Sequence, residues 1–305
     1  MSNSSTLENN TSACANCGKG EEAAINLKAC TACKLVKYCS RDCQIAHRPQ
    51  HKKACKKRAA ELHDIKLFKQ PPPLEDCPIC MIRLPNLDSE QTYMPCCGKI
   101  ICTGCVHAFR SRATKREHDV CPFCRTPPPN SDEESRKWLE KRMEFNDADA
   151  IYGMGSLYSD GELGLPRDQA KALELWHRAG ELGSAEAYYN IANAYMLGRG
   201  VERDEKKTLH YYELAAMRGQ LDARHNLGCL EEKAGNVERA LKHYVIAARD
   251  GDPDALRSIK GIYMDGNATK DDYTTALRYY QAYLDEIKSD QRDEAAAVRN
   301  ISKYY

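Results

Sequence analysis

The placement of cysteine constrains this 305-residue chain more than any other feature. Of its 16 cysteines, 15 lie between Cys14 and Cys124, and the remaining one is Cys229. With only four Phe and two Trp in the whole chain, a large apolar core does not account for the cysteine-rich half. The closely paired cysteines therefore predict small domains held together by metal ions, followed by a second half of a different kind.

The N-terminal sequence argues against a secreted, disulfide-bonded protein. Its first ten residues lack the basic start and apolar segment of a signal peptide. No apolar run approaches the roughly 20 residues that a membrane-spanning helix requires. Because disulfides accumulate in secreted proteins, thiolate metal sites are the expected use of these cysteines. We expect an intracellular protein, cytoplasmic or nuclear, with no membrane partner.

The charge distribution does not demand a polyanionic partner. Residues 1–130 carry an excess of eight basic over acidic side chains, whereas residues 131–305 carry an excess of seven acidic ones. Fifteen thiolates that bind four Zn²⁺ would reduce the basic excess to about one, since ligand cysteines are deprotonated. We therefore expect no nucleic-acid partner, and the basic run over 52–58 is interpreted as a solvated helix face rather than a nuclear-import signal.

Four pairs of metal ligands lie between residues 14 and 55. They are Cys14, Cys17, Cys30, Cys33, Cys39, Cys43, His51 and Cys55. Eight ligands suit two tetrahedral zinc ions, and pairs with i,i+4 spacing meet on one face of a helix. The order of these ligands closely resembles the MYND finger. That resemblance implies that the first and third pairs bind one zinc and the second and fourth pairs the other; His47 is a rival ligand that its position disfavours.

MYND fingers typically bind short proline-containing peptides, so the resemblance implies a protein-interaction module. The alternative is a zinc-stabilised fold whose groove is unused. Zinc is structural in both cases, because so small a domain cannot fold on apolar burial alone. We expect a disordered tail over 1–13, the finger over 14–55 with a helix that continues to about residue 69, and a proline-rich linker over 70–76.

Eight further cysteines follow in four pairs. They are Cys77, Cys80, Cys96, Cys97, Cys102, Cys105, Cys121 and Cys124. Their spacing resembles a RING finger over 77–126, which implies a second cross-braced fold with the first and third pairs on one zinc and the second and fourth on the other. Lys99, a poor zinc ligand, stands where such fingers usually have histidine. We therefore expect adjacent Cys96 and Cys97 both to bind, with His107 or His118 as alternatives, and four zinc ions in the chain.

RING ligases contain no nucleophile; they hold a ubiquitin-conjugating enzyme (E2) so that its ubiquitin thioester meets a lysine in a reactive geometry. The resemblance places four residues on the E2-binding surface: Ile79, Phe109, Pro122 and Arg125. Phe109 replaces the Trp often found there, and Arg125 occupies the so-called linchpin position. The alternative is that the apolar residues fill a small core or shape a turn and Arg125 is an ordinary surface charge.

Residues 131–305 are self-similar at intervals of 32 to 37 residues. Three positions recur: Ala150, Ala187, Ala223 and Ala255; Leu173, Leu209, Leu241 and Leu277; and the aromatic residues Trp176, Tyr212, Tyr244 and Tyr280. The period resembles Sel1-like repeats, relatives of the tetratricopeptide class, and implies an all-α solenoid of stacked helix pairs. We expect the phased aromatics to lie in the core, Gly183, Gly219 and Gly251 to follow second helices, and Cys229 to be a small buried hydrophobe. The run 131–134 resembles a helix-opening capping box.

These expectations together describe two cross-braced zinc fingers followed by a Sel1/TPR-like solenoid. The function they imply is a RING-type E3 ubiquitin ligase that recruits a charged E2 and binds a substrate protein through the MYND finger and the repeats. Two alternatives stay open: a non-enzymatic zinc-binding adaptor, and a MYND-type transcriptional regulator that would need a nuclear address.

Overall fold

The computed structural model describes residues 12–20, 26–112 and 119–298. The chain divides into two compact units after Lys69. The tail expected over 1–13 lies largely outside the described residues, although Ala13 forms a β-bridge with Gly20. Within the described ranges, no helix is both long and apolar enough to cross a membrane.

The first unit is a small finger with one long helix. Antiparallel strands β1 (Lys28–Ala29) and β2 (Lys37–Tyr38) precede α1 (Arg41–Leu67). The Ser40 side chain caps α1 by accepting a hydrogen bond from the backbone N–H of Cys43. Leu27 and Tyr38 are buried among the cysteines. So small an apolar cluster cannot hold the finger together without metal ligation.

The second finger (residues 77–126) opens the second unit. A short 3₁₀ helix (Asp88–Glu90) leads into the antiparallel hairpin of β3 (Gln91–Met94) and β4 (Lys99–Cys102), followed by α2 (Thr103–Arg112). Leu84, Ile101 and Val106 form its buried core together with several of the cysteines.

Ten helices follow in the described part of the second unit. They are α3 (Asp132–Glu144), α4 (Ala148–Asp160), α5 (Gln169–Glu181), α6 (Ala185–Leu197), α7 (Glu205–Met217), α8 (Leu221–Lys233), α9 (Val237–Arg249), α10 (Pro253–Met264), α11 (Lys270–Ile287) and α12 (Asp290–Val298). Successive helices from α4 to α11 pack as neighbours, as expected of stacked helix pairs. Ser131 caps α3, but the Glu134 carboxylate returns to the N–H of Asn130 rather than of Ser131, so half of the expected capping box forms.

The repeat core confirms the phase read from the sequence. Side chains at the recurring aromatic position are all buried: Trp176, Tyr212, Tyr244 and Tyr280. The glycines after the second helices have left-handed φ angles of +114°, +97° and +95°, which favour glycine: Gly183, Gly219 and Gly251. Cys229 is partly buried against this core, and its Sγ lies 3.3 Å from the Tyr244 hydroxyl oxygen.

The second finger and the segment before it contact the helices that follow at several places. Tyr93 of β3 donates its hydroxyl to Asp147 Oδ2 at 2.9 Å, the carboxylate that caps α4. At the turn after α9, Gln70 Nε2 donates to Asp250 Oδ2 and Asn86 Nδ2 donates to the Asp250 carbonyl, both at 2.8 Å. The linker expected over 70–76 is therefore anchored at its start, and finger and repeats form one compact unit.

Candidate metal centres and docking groove

The eight ligands of the first finger gather into two clusters. One contains Cys14, Cys17, Cys39 and Cys43, and the other contains Cys30, Cys33, His51 and Cys55. Within each cluster all ligand atoms lie within 4.8 Å of one another. The pairs therefore interleave, and α1 supplies ligands to both clusters. His47 lies outside both, and its Nδ1 is 3.1 Å from the Tyr38 hydroxyl oxygen.

The cysteines of the second finger form two further clusters on the same plan. They are Cys77, Cys80, Cys102 and Cys105 (the α2 cluster), and Cys96, Cys97, Cys121 and Cys124 (the hairpin cluster). Again the sulfur atoms of each lie within 4.8 Å.

The β3–β4 loop explains how two adjacent cysteines reach one cluster. The backbone N–H groups of Cys97 and Gly98 both donate to the Met94 carbonyl, at 3.1 and 2.8 Å, and so fold the loop back on itself. Lys99 is exposed at the start of β4, and His107 is not among the four clustered residues. His118, the other alternative ligand, lies outside the described residues.

Four of the Cys-x₂-Cys pairs form knuckle turns, and the residue directly after each of these pairs has a left-handed φ. The backbone N–H of that residue donates to the carbonyl of the first cysteine of the pair at 2.9 to 3.0 Å. These residues are Gly18, Lys34, Met81 and Arg125, with φ between +56° and +73°. Such φ costs a non-glycine residue about 1–2 kcal/mol, so sequence rules for turns would favour glycine at all four. The turn aims two sulfurs at one point, and it fixes the backbone of Arg125 beside the hairpin cluster.

The donor sets fit zinc. Tetrahedral Zn–S bonds of about 2.3 Å place ligand sulfurs about 3.8 Å apart. The observed separations agree, at 3.5 Å for Cys17–Cys39 and 3.9 Å for Cys80–Cys102. Four protein ligands in each cluster are typical of a structural rather than a catalytic zinc site. The clusters and the first finger's ligand order indicate zinc binding.

Electrostatics in the α2 cluster also favour a cation. A hydrogen bond with the Cys102 thiol lowers the pKa of Cys77, and the same contact raises the pKa of Cys102. One sulfur thus ionises only while its neighbour keeps a proton. Because four thiolates so close together repel one another, full ionisation of the cluster requires a divalent cation among them.

The four residues predicted to contact an E2 line one groove of the second finger. Ile79, Phe109, Pro122 and Arg125 surround a volume of about 340 Å³, together with Cys105, Ala108, Arg112 and Gln291. The Arg125 guanidinium carbon lies 4.5 Å from the centroid of the Phe109 ring, a cation–π distance. Ile79 is 41% exposed, which argues against the alternative that it fills a small core.

Sequence reasoning missed two residues of this region, Gln291 and Arg292. Both belong to α12, which packs against α2. Gln291 lines the groove, and Arg292 Nη2 lies 3.8 Å from Cys80 Sγ. They are about 200 residues distant from their partners along the chain, and no motif near residue 290 signals the contact.

Comparisons with known families identify two of the modules. The family model described as MYND finger matches residues 14–55. The Sel1 repeat model matches four segments, 148–184, 185–220, 222–252 and 261–282. The chain therefore contains a MYND finger and Sel1 repeats, both protein-interaction modules, which is consistent with protein partners. The matched repeats leave α3 and α12 outside, so they occupy less than the span 131–305 expected from the sequence.

Individual relatives match parts of the chain. Chitin synthase regulatory factor 4 of Schizosaccharomyces pombe is 29% identical over 40% of this chain and 20% of its own length. E3 ubiquitin-protein ligase DA2 of Arabidopsis thaliana is 41% identical over 18% of this chain and 12% of its own. A solved Sel1 repeat protein from Oxalobacter formigenes is 33% identical, with 50% of this chain and 64% of that chain covered and a TM-score of 0.44. The chain thus spans a fifth or less of either curated relative.

Proposed function

We propose that this chain is a RING-type E3 ubiquitin ligase whose second finger docks a ubiquitin-charged E2, while the MYND finger and the Sel1 repeats bind the substrate protein. The observation that carries the proposal is the groove itself. Ile79, Phe109, Pro122 and Arg125 come from two knuckles and a helix, yet they line one surface. The family models that match the chain cover the first finger and the repeats, so the RING assignment of 77–126 depends on ligand spacing and on this groove.

The groove has the chemistry that such docking requires. Its apolar side chains, Ile79, Phe109 and Pro122, offer a surface on which a partner's apolar loops can be buried. Arg125 adds a planar group with five N–H donors, which can bond backbone carbonyls of the E2 and of ubiquitin at the same time. Zinc, when bound to the four cysteine ligands of each cluster, fixes the knuckles that present Ile79 and Pro122.

The chain's contribution to ubiquitin transfer would be orientation. The thioester and the E2 supply the reacting groups, and the ligase restricts their relative motion. This division of labour fits metal clusters whose ligand positions are all taken by protein side chains. The name of the partial relative DA2, an E3 ubiquitin-protein ligase, agrees with the proposal over the 54 residues that match.

A non-enzymatic adaptor is the second candidate, and Lys99 favours it. This exposed lysine stands beside the hairpin cluster where a RING finger usually has a histidine ligand. An altered second zinc site can change the knuckle that carries Pro122 and Arg125. The groove would then bind a protein without promoting transfer, alongside two further interaction modules. The transcriptional-regulator alternative is addressed by localising a tagged chain.

The test is ubiquitin-chain formation by purified, zinc-loaded protein with activating enzyme, ATP and a panel of E2 enzymes. Arg110→Ala is the matched control, because Arg110 is an exposed arginine of α2 that does not line the groove. We expect Arg125→Ala to slow chain formation about tenfold or more, since arginine is enriched among interface hot spots, whose truncation costs about 2 kcal/mol or more, and Arg110→Ala to leave the rate unchanged.

Two results would count against the ligase. Equal chain formation by wild type, Ile79→Ala and Arg125→Ala would show that the groove is not the docking surface. No chains with any E2, from protein whose metal content is intact by native mass spectrometry, would instead support the adaptor.

A further inference from the structure

The last described helix, α12, packs so closely against α2 of the second finger that a side chain at Gly104 would clash with it. A Cβ atom added to Gly104 of α2 would lie only 2.7 Å from the backbone N and from the Cγ of Arg292. Glycine at this position is what permits the approach. Thr103, Gly104 and Ala295 are buried in this region. The contact therefore involves the α2 backbone directly, beside two ligands of the α2 cluster.

Arg292 reaches from α12 into the ligand shell of that cluster. Its Nη2 lies 3.8 Å from Cys80 Sγ and donates to the Ile82 carbonyl at 3.3 Å, while Nη1 donates to the Ile287 carbonyl at 2.8 Å. The guanidinium is thus held in place at both of its terminal nitrogens. The side-chain amide oxygen of the neighbouring Gln291, Oε1, lies 3.7 Å from Cys105 Sγ. Two consecutive residues of α12 contact two different ligands.

The charge of the metal site means that this contact affects how tightly zinc is bound. One Zn²⁺ with four thiolates carries a formal charge of −2, and half-buried sulfur is poorly solvated. A guanidinium that donates to a ligand sulfur offsets part of this charge through a charge-assisted hydrogen bond. Outer hydrogen bonds of this kind orient metal ligands and typically change metal affinity 10- to 100-fold.

We propose that α12 is part of the second finger, in which Arg292 is a positioning residue that stabilises zinc in the α2 cluster. Since Cys80 and Ile79 share one knuckle, Arg292 thereby also holds one wall of the docking groove, and Gln291 forms another part of its lining. The end of the repeat half is in this way coupled to the finger. This inference depends on the zinc occupancy assumed in the proposed function, but not on ubiquitin transfer.

The experiment measures zinc release from the full chain to a chromophoric chelator, without any E2 or ubiquitin. The wild-type zinc count is established first by native mass spectrometry, and we expect four. We expect Arg292→Ala to accelerate release of one zinc about 10- to 100-fold and to leave the others unchanged. Arg292→Lys, which keeps the charge but loses the fork, should fall between the two.

Arg278→Ala is the matched control, because Arg278 bonds only within its own helix, to the Thr274 carbonyl and Thr275 Oγ1, among the contacts of the described chain. Gly104→Ala provides a second route to the same effect, since the added methyl displaces α12 without changing Arg292. It should also loosen one zinc. Cys80→Ser identifies the site: in that background Arg292→Ala should have no further effect on the remaining ions.

Unchanged zinc release in both Arg292→Ala and Gly104→Ala would overturn the proposal, as would an equal acceleration of release at all sites. A wild-type chain with no zinc at the α2 cluster would also overturn it. Failure of the ligase assay alone would not alter the zinc measurement, so the two proposals fail separately.

Discussion

Gly228→Ala tests the repeat packing, because we expect it to lower the stability of the protein although alanine is intrinsically preferred over glycine in a helix. Gly228 lies in the interior of α8, where alanine is normally favoured by about 1 kcal/mol. An added Cβ would lie 2.5 Å from Cε1 and 2.8 Å from Cδ1 of the Tyr244 ring. That ring is fully buried, and its hydroxyl donates to Glu232 Oε2 at 2.9 Å. The ring cannot move aside without losing this bond.

The magnitude follows from these opposing terms. Overpacking a close-packed core costs about 1–3 kcal/mol, and stretching the partly buried hydrogen bond to the Glu232 carboxylate adds about 1 kcal/mol. The gain in helix propensity offsets about 1 kcal/mol of this. We therefore expect Gly228→Ala to lower the free energy of unfolding by about 1–3 kcal/mol. The second repeat carries Ala192 at the corresponding position, which favours strain over loss of the fold.

Gly261→Ala is the matched control. Gly261 is also in a helix interior, in α10, but an added Cβ there meets no atom of the described chain within 4 Å. Thermal unfolding should show a Tm lowered by about 2–10 °C for Gly228→Ala and raised by a few degrees for Gly261→Ala. In a Tyr244→Leu background the penalty at residue 228 should largely disappear. If Gly228→Ala were as stable as wild type, the close approach of α8 and α9 would be wrong.

Three further substitutions test other contacts. Burial raises the pKa of Asp250 to about 6, an effect that Arg83 partly offsets. Folding therefore takes up a proton at low pH, and the stability that this proton contributes to the folded state is lost as pH rises from about 4 to 6. Urea titrations should therefore show wild type losing about 1 kcal/mol relative to Asp250→Asn between pH 5 and 7, and a constant difference would refute this. Tyr93→Phe removes the bond to Asp147 and should lower stability by about 1 kcal/mol in the same titration. Cys229→Ser should leave the zinc count by mass spectrometry unchanged, and a lower count would make Cys229 a ligand.

Local patterns made much of this molecule predictable. The ligand pairs and the phased aromatics recur at short, regular intervals, so the elements that carry them follow from spacing. In the first finger, however, α1 departs from a local rule of helix formation. Proline normally interrupts a helix, yet α1 runs through Pro49. The ligand pairs on its two sides, Cys39/Cys43 and His51/Cys55, converge on separate clusters, and metal ligation there can outweigh the lost backbone hydrogen bond.

Contacts between distant segments had no counterpart in the sequence. Asn86 donates its backbone N–H to the Tyr283 hydroxyl at 2.8 Å, and Arg83 pairs with Glu286 at the same distance. Each joins residues about 200 positions apart, and single polar residues at such separations have no periodicity to reveal them. The position of α12 on α2 belongs to the same class, because its short polar sequence gives no apolar stripe that would indicate a partner.

These contacts bear on how the repeats can serve a protein partner. Pro71 is buried, and it lies where a Cβ on Gly219 would come within 3.6 Å of it. Gln70 and Asn86 bond Asp250 at the next turn along the repeats. The solenoid edge is thus covered by the chain's own linker and finger at these two turns, whereas at the preceding turn a Cβ on Gly183 would meet no atom of the described chain within 4 Å. Under the proposed function, a protein partner of the repeats would have to bind away from the two covered turns, and substitutions at Gly219 or Asp250 that weaken its binding would act through the second finger rather than through a lost partner contact.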